Sequence, residues 1–332
     1  MLDKTRVAVI GCGGISLTHF RGYASIPTVE LVAMADVNLE AAQTRAKEFG
    51  GRPYADYREM FSAERPHAVS VCVPPYLHQR IAEDAMAHGA HVLCEKPLAL
   101  SVQEGESMVR TASQYGVTLM TGLCYRFDEN TTIAKRWVDE GRLGEPQLFR
   151  HAFAMLMRPQ QFLETWFGSW EKGGGVLKEA MTHSMDLFRF FMGNAESVLA
   201  SRGHLAYQDH AEDTALVMLR GGRGGFGTLQ GTWAIPAKQN VVELLGSKGM
   251  ISIDYDGRYS HLTADGWDLW FEAREAPGRI ANEIGHFIDC ARGQAQPLTV
   301  AEDGVEALRI AEGAAASVDA QRWMAVSGSG VL

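Results

Sequence analysis

The feature that most restricts the fold is a junction near the N-terminus, where an unbroken apolar run, Val7-Ala8-Val9-Ile10, gives way to Gly11-Cys12-Gly13-Gly14-Ile15-Ser16 and then to a helical pattern. An apolar run without polar alternation reads as a strand buried on both faces, the condition of a parallel sheet covered by helices. The pattern repeats, with strands over 29–35, 52–54, 68–73, 91–94 and 117–121 and helices from about 15 and over 39–48, 77–88 and 102–115. Parallel neighbours need a helix-length crossover, and this spacing supplies it. Ser101-Val102-Gln103-Glu104 has the form of a capping box at the head of the last of these helices. Residues 1–122 are therefore expected to form a doubly wound α/β domain.

After a helix over 128–140 the character changes to longer β-rich runs over 147–155, 197–205, 211–219, 225–234, 241–245 and 250–254. Glycine-rich turns such as Arg220-Gly221-Gly222-Arg223-Gly224 and Gly246-Ser247-Lys248-Gly249 separate them. A helix over 176–191 interrupts the strands, and helices over 280–292 and 301–318 close the chain, the second opening on the capping box Thr299-Val300-Ala301-Glu302. Residues 123–332 are expected to form a second α/β domain on an antiparallel or mixed sheet, and 332 residues that are 46% hydrophobic are enough for two cores.

Charge narrows the partners. With 31 Lys and Arg against 40 Asp and Glu, the formal net charge of −9 and the absence of a basic cluster argue against nucleic acid and anionic membranes. Met1-Leu2-Asp3-Lys4 leads directly into the first strand pattern, and nothing approaches the ~18 apolar residues of a membrane span, so a cytoplasmic location is expected. The five cysteines, Cys12, Cys72, Cys94, Cys124 and Cys290, form no C-x-x-C pair and have no histidine at zinc spacing, which argues against disulfides and a metal. Cys12, Cys72 and Cys94 fall at strand ends, so they are either oxidation-sensitive thiols at a ligand edge or small buried hydrophobes.

The glycine turn brings backbone close to where a pyrophosphate rests on a helix N-terminus, which assigns Gly11, Cys12, Gly13, Gly14 and Ile15 to a dinucleotide. Ser16 stands where the fingerprint has its third glycine, a change expected to loosen helix-to-strand packing slightly. Asp36 ends the second strand 20 residues past Ser16, where a carboxylate accepts ribose hydroxyls or, alternatively, caps the next helix. No arginine follows at Val37, Asn38 or Leu39, so NAD is favoured over NADP. Val73-Pro74-Pro75-Tyr76-Leu77-His78 makes a rigid loop at the same edge, with Val73, Pro74, Pro75 and His78 as cofactor contacts or as a simple turn. Glu95-Lys96-Pro97 ends another apolar strand. A lysine beside a bound dinucleotide costs free energy unless a partner or a substrate oxygen offsets it, so Glu95 and Lys96 read as functional.

Together these motifs, with Arg126-Phe127, resemble the glucose-fructose oxidoreductase, inositol dehydrogenase and MocA family over nearly the whole chain. The resemblance implies a Rossmann domain for NAD and a second α/β domain whose open, largely antiparallel sheet supplies the substrate wall and a homodimer or homotetramer interface. Gly173-Gly174-Gly175-Val176-Leu177-Lys178-Glu179-Ala180-Met181-Thr182-His183-Ser184-Met185-Asp186 is similar to the family's second-domain signature. It departs at Glu179, where aspartate is common, and at Met181, where glycine is common; Met181 is expected to narrow the pocket. Glu179, His183 and Asp186 are expected on one helical face, as an acid/base edge or as surface pairs. Arg126 and Trp166 are candidate substrate contacts, with a carboxylate pair and core packing as their alternatives.

The resulting expectation is an NAD-dependent enzyme moving a hydride to or from a secondary hydroxyl or keto carbon of a sugar, polyol or inositol. His183 takes the hydroxyl proton, Lys96 steadies the oxygen and Glu179 orients the pair. A redox-neutral NAD-dependent glycosidase and a non-catalytic dinucleotide sensor are the alternatives, and retention of Lys96 and His183 argues against the sensor.

Overall fold

The computed structural model describes residues 4–257, 259–264, 267–272 and 278–326; the N-terminal Met1-Leu2-Asp3 lies outside them. The chain divides into two compact units, Met1–Phe127 with Pro277–Val305, and Asp128–Ala276 with Glu306–Leu332. A single crossing at residue 122 therefore does not describe the contacts, because the segment from Pro277 returns to the first unit.

The first unit carries six parallel strands: β1 (Thr5–Ile10), β2 (Val29–Ala35), β3 (Arg52–Tyr54), β4 (Ala68–Val71), β5 (His91–Cys94) and β6 (Leu119–Thr121), in the order β3-β2-β1-β4-β5-β6. The order reverses between β1 and β4, so their C-terminal ends bound the crevice where open α/β sheets take ligands. Backbone pairing runs past the strand ends there, from the N–H of Cys72 to the carbonyl of Ile10 at 2.7 Å and from that of Glu95 to Val71 at 3.0 Å. Helices α1 (Ser16–Ala24), α2 (Leu39–Phe49), α3 (Tyr57–Glu64), α4 (His78–Ala87) and α5 (Val102–Tyr115) cover the sheet. Sequence reading missed α3; Asp56, whose carboxylate accepts the Arg58 N–H, is its cap.

The capping boxes fare differently. Ser101 accepts the Glu104 N–H at 3.2 Å, while Glu104 reaches back to the Leu100 N–H at 2.9 Å, one residue beyond the usual target. Thr299 does not cap. Its hydroxyl is buried without a hydrogen bond, and Val300 instead bridges Met120 as a continuation of the sheet.

The second unit opens with α6 (Glu129–Asp139), β7 (Pro146–Leu156), the short α7 (Pro159–Leu163) and α8 (Thr182–Met192). Its other strands are β8 (Ala195–Gly203), β9 (Thr214–Gly221), β10 (Phe226–Thr232), β11 (Ala234–Gly246), β12 (Gly249–Asp254), β13 (Tyr259–Ala264), β14 (Trp267–Glu272) and β15 (Met324–Ala325). They form one nine-stranded sheet, ordered β14-β13-β12-β11-β7-β10-β9-β8-β15, in which only β7 and β10 run parallel. Sequence reading did not anticipate the last three of these strands. The chain closes with α9 (Arg279–Ala291) and α10 (Ala301–Ala320); among the described residues no helix is long and apolar enough to cross a membrane.

The sheet of the second unit is two-faced. Along β9, Ala215, Val217 and Leu219 are buried while Leu216 and Met218 are exposed, the alternation of a sheet covered on one side. Glycines on the covered side of β10 and of the residue before it receive α8 and its N-terminal neighbour Met181. A Cβ at Gly225 would lie 2.5 Å from Met192 Cε, at Gly227 2.6 Å from the Phe188 ring and at Gly231 2.7 Å from Met181 Cγ. Met181 and Phe188 are seven residues apart, ~10 Å along a helix, against ~13 Å for the four residues from Gly227 to Gly231. The dents thus fix the register of α8.

Candidate active site

At the end of β1, Gly11 has φ +94°, and a Cβ there would lie 2.4 Å from the Cys72 carbonyl oxygen. No other residue allows β1 and β4 to approach so closely. Gly13 and Gly14 are the converse: a Cβ at either meets nothing within 4 Å, so their backbone borders open space. Helix α1 begins directly behind them with no side-chain cap and no acidic residue in its first turn. Its N-terminal N–H groups and the bare glycine backbone fit a pyrophosphate. Ser16 is fully buried and donates to the Gly13 carbonyl at 2.7 Å, so the third position is tied down rather than loosened.

Asp36 accepts the Cys12 N–H at 2.7 Å through one oxygen and the Asn38 N–H at 2.8 Å through the other. The cap of α2 is Asn38, not Asp36. The half-buried Asp36 therefore joins the glycine turn to the end of β2 and keeps acceptor capacity on both oxygens, the requirement of a ribose partner.

Pro74 and Pro75 turn the chain into α4, and His78 locks that turn. It is fully buried, with Nε2 2.8 Å from the Val73 carbonyl and Nδ1 2.9 Å from that of Pro97. Burial holds its pKa below the ordinary histidine value against these carbonyls. Both ring nitrogens are engaged with backbone, so His78 shapes the edge rather than offering a nitrogen to a cofactor.

Beyond β5, Lys96 precedes a cis peptide to Pro97 and is half-buried. Its N–H donates to Glu95 Oε2 at 3.2 Å, while Glu95 Oε1 lies 2.9 Å from His19 Nε2. Burial pushes the Glu95 carboxyl up, but the His19 hydrogen bond, the Lys96 charge and the Lys96 N–H together bring it below its ordinary value. Lys96 thus stands at the C-terminal edge of the sheet beside an ionised carboxylate. Arg126 is committed elsewhere. It is buried, donating to Asp303 at 3.0 Å and to the Leu298 carbonyl at 3.1 Å, which is the carboxylate pair rather than an open substrate contact.

In the second unit the glycine triplet leads into a tight turn, not a helix. The N–H of Glu179 bonds to the Gly175 carbonyl and that of Met181 to Val176, both at 3.0 Å, and α8 begins only at Thr182. Glu179 therefore precedes the helix on which His183 and Asp186 lie, and the expected single helical face does not form. A Cβ at Gly175, φ +93°, would lie 2.5 Å from Glu212 Oε1. That carboxylate, 1% exposed, accepts the Leu177 N–H at 3.0 Å and the Trp170 indole N–H. Asp213 next to it, despite burial, is held below the usual carboxylate range by the backbone N–H groups of Leu205, Ala206 and Tyr207. Both acids were missed in the sequence; two adjacent carboxylates opening an apolar strand were the available signal.

Glu179 is buried, His183 half-buried and Asp186 fully buried. Met181 does not narrow a pocket, since it is fully buried in the dent of Gly231. Trp166 is half-buried and stacks on Phe167 with ring centroids 4.0 Å apart, so part of its surface is used in packing.

The family model described as an oxidoreductase family with an NAD-binding Rossmann fold matches residues 5–123, and the GFO/IDH/MocA C-terminal domain matches residues 131–252. The chain belongs to the Gfo/Idh/MocA oxidoreductase family. As a member of that family it is an NAD-dependent oxidoreductase. It is similar to a 2,7-anhydro-N-acetylneuraminate hydratase of Mediterraneibacter gnavus, 31% identical over 274 residues that cover 81% of this chain and 72% of the relative. It is also similar to a myo-inositol 2-dehydrogenase of Thermotoga maritima, 26% identical over 331 residues, 96% and 97% of the two chains. Among solved structures, the WlbA dehydrogenase of Bordetella pertussis in complex with NADH and UDP-GlcNAcA is similar at a TM-score of 0.85 and 26% identity, covering 97% of this chain and 98% of that one.

Proposed function

We infer that this Gfo/Idh/MocA oxidoreductase moves a hydride between NAD and a secondary hydroxyl or keto carbon of a sugar, polyol or inositol. The observation that carries the reading is Lys96: a lysine at the C-terminal edge of the parallel sheet, backed by ionised Glu95, on the edge that also holds the uncapped glycine turn. When bound, NAD supplies the hydride acceptor or donor. The residues assigned to it are Gly11, Cys12, Gly13, Gly14, Ile15, Asp36, Val73, Pro74 and Pro75, with His78 and Glu95 shaping the loops.

An ammonium at Lys96 favours negative charge on the reacting oxygen. His183, at the start of α8, is the general base for the hydroxyl proton, because an imidazole titrates near neutrality, and Glu179 orients the polar groups of that segment. Trp166 offers an aromatic face for substrate; Arg126 is withdrawn from the substrate set. The carbohydrate class is supported by the relatives named for myo-inositol and D-apiose. The second unit is the substrate-binding and oligomerisation domain, and the uncovered sheet face bearing Leu148, Leu156, Leu216, Met218 and Phe226 is the surface through which a homodimer or homotetramer forms. A cytoplasmic location accords with five free cysteines.

The test is NADH formation by the purified protein with NAD against sugars, inositols, sugar acids and glycosides, repeated with NADP. Turnover of one polyol or sugar with NAD is expected, and Lys96→Met is expected to lower kcat/KM by about 10³-fold while leaving NADH affinity within about threefold. An active Lys96→Met enzyme would sink the assignment. The similarity to a protein named as a hydratase supports a second reading, a redox-neutral reaction in which substrate is consumed without net NADH.

A further inference from the structure

A row of buried side chains in the first unit has no task in the hydride-transfer reading. His19 and Tyr23, one turn apart on α1, are 0% and 1% exposed, and Ser70 of β4 is 0% exposed. Tyr23 Oη lies 2.6 Å from Ser70 Oγ, Ser70 Oγ 3.0 Å from His19 Nδ1, and His19 Nε2 2.9 Å from Glu95 Oε1. The other Glu95 oxygen accepts the Lys96 N–H. The row therefore ends on the residue that precedes Lys96.

The direction of its protons follows from counting acceptors. Ser70 is the hydrogen-bond partner of the Tyr23 hydroxyl, and a buried donor left without an acceptor costs ~1–3 kcal/mol. Tyr23 therefore donates to Ser70, Ser70 donates to His19 Nδ1, and the His19 proton sits on Nε2, aimed at Glu95. A proton on Nδ1 would make Ser70 an acceptor there and leave either the Ser70 or the Tyr23 hydroxyl proton facing no acceptor. Glu95 is thus the accepting end, and its negative charge acts on Lys96; because Coulomb attraction is mutual, the same charge favours the ammonium.

We propose that His19, set in one tautomer by Ser70 and Tyr23, is a positioning residue that fixes the ionised Glu95 carboxylate beside Lys96 and so keeps Lys96 an ammonium at neutral pH. The inference deepens the reading of Lys96 as the group that meets the reacting oxygen. Other ionisable groups face the row: Cys72 just past β4, Cys94 from β5, Cys124 beyond β6, and from α9 both Glu283, which acts on Tyr23, Cys72 and Cys124, and Arg279, which acts on Cys124. The three thiols are pushed up by burial and carry no charge near neutrality.

The charge on Lys96 can be read without a substrate, from the pH dependence of its acetylation by acetic anhydride in the full chain, followed by peptide mass spectrometry. Glu95→Gln is expected to speed Lys96 labelling at neutral pH about tenfold, the equivalent of one pKa unit. His19→Asn, whose amide takes the place of Nδ1, is expected to do the same. His19→Gln, whose amide takes the place of Nε2 and still donates to Glu95, stays within about twofold of the parent, and His19→Asn with Glu95→Gln is no worse than Glu95→Gln alone. Unchanged labelling in Glu95→Gln, equal damage in the two His19 variants, or additive effects in the double variant each overturn the proposal. NADH binding reports folding, and Glu95→Gln carries the test if His19→Asn does not fold. Lys96→Met turnover is judged separately: shifted labelling with an active Lys96→Met enzyme keeps this inference and removes the catalytic reading of Lys96.

Discussion

The loop that presents Lys96 and the segment that leads into His183 are held still by different means. Around Lys96 the constraint is polar: His78 bridges the Val73 and Pro97 carbonyls, and Glu95 joins the Lys96 N–H to His19. Around His183 it is largely shape, with Met181, Phe188 and Met192 seated against Gly231, Gly227 and Gly225, and a single buried carboxylate, Glu212, clasping the turn before the helix. Polar constraints tolerate small changes of volume and fail when a donor is lost. Shape constraints behave the opposite way, because close-packed interiors do not absorb added methylenes.

The largest effect is expected where the first unit uses shape after all. Gly11→Ala puts a Cβ 2.4 Å from the Cys72 carbonyl oxygen at a φ of +94°, and a loss of about 4 kcal/mol in urea-unfolding stability is expected, with NADH binding lost alongside. Gly13→Ala is the control. Its Cβ meets no protein atom, so stability should stay within about 0.5 kcal/mol while NADH affinity falls about tenfold. Equal stability losses in the two variants would remove the argument that the turn is built around a phosphate-sized opening.

A pH effect of up to about 3 kcal/mol belongs to the second unit. His151 on β7 is buried, hydrogen-bonded through Nε2 to Asn240 at 3.0 Å, and burial lowers its pKa from 6.5 to about 4. The unfolded chain binds the extra proton between those values, so His151 removes stability progressively as pH falls from about 6.5 toward 4, and removes none above 6.5. Unfolding free energies at pH 7 and 5.5 should differ by about 1.2 kcal/mol more in the parent than in His151→Gln, which keeps a donor for Asn240. The lowered carboxyl of Glu95 in the first unit acts in the same direction but only below its ordinary value of 4.5, so the two units are separable by pH window.

Of intermediate size is Gly231→Val, which overfills the dent of Met181 and is expected to cost about 2 kcal/mol. Because the dent sets the register of α8, kcat should fall further than NADH affinity. Parallel losses in both would mean that α8 does not hold a group used in turnover.

What was legible in the sequence divides along the same line. The glycine turn, Asp36, the paired prolines and Glu95-Lys96-Pro97 are local solutions to local backbone problems, so consecutive letters reveal them. His19 and Glu95 meet across 76 residues, Glu212 reaches back 35 residues to Leu177, and Gly231 serves a methionine 50 positions earlier in the chain, so no window shows them. The misplaced start of α8 has the same origin. A period of 3.6 can be counted from Glu179 to Asp186, but the Met181 to Val176 turn, one residue wider than a helical turn, breaks the phase before the helix begins. Arg126 misled for another reason: a guanidinium next to a predicted ligand edge looks available until Asp303, 177 residues on, is found beside it.

The smallest effect concerns the thiols, where the two readings of the sequence differ in chemistry rather than in place. All five cysteines are free and buried. Burial, helped by the neighbouring Asp36 carboxylate, pushes Cys12 up to about 12 and holds Cys72 and Cys94 well above the ordinary thiol value, with Glu95 adding to the shift at both. A thiolate is the reactive form, so thiols buried beside carboxylates are protected from alkylation although three sulfurs line this strand edge. Iodoacetamide at pH 8 should therefore modify the native protein at less than about one-tenth the rate of the same chain in urea, and NADH affinity should be unchanged afterwards. Rapid native alkylation at Cys12, which lies at the glycine turn itself, with loss of NADH binding, would instead show that this edge opens to solvent, and the polar locking that distinguishes the first unit from the second would be weaker than its hydrogen bonds imply.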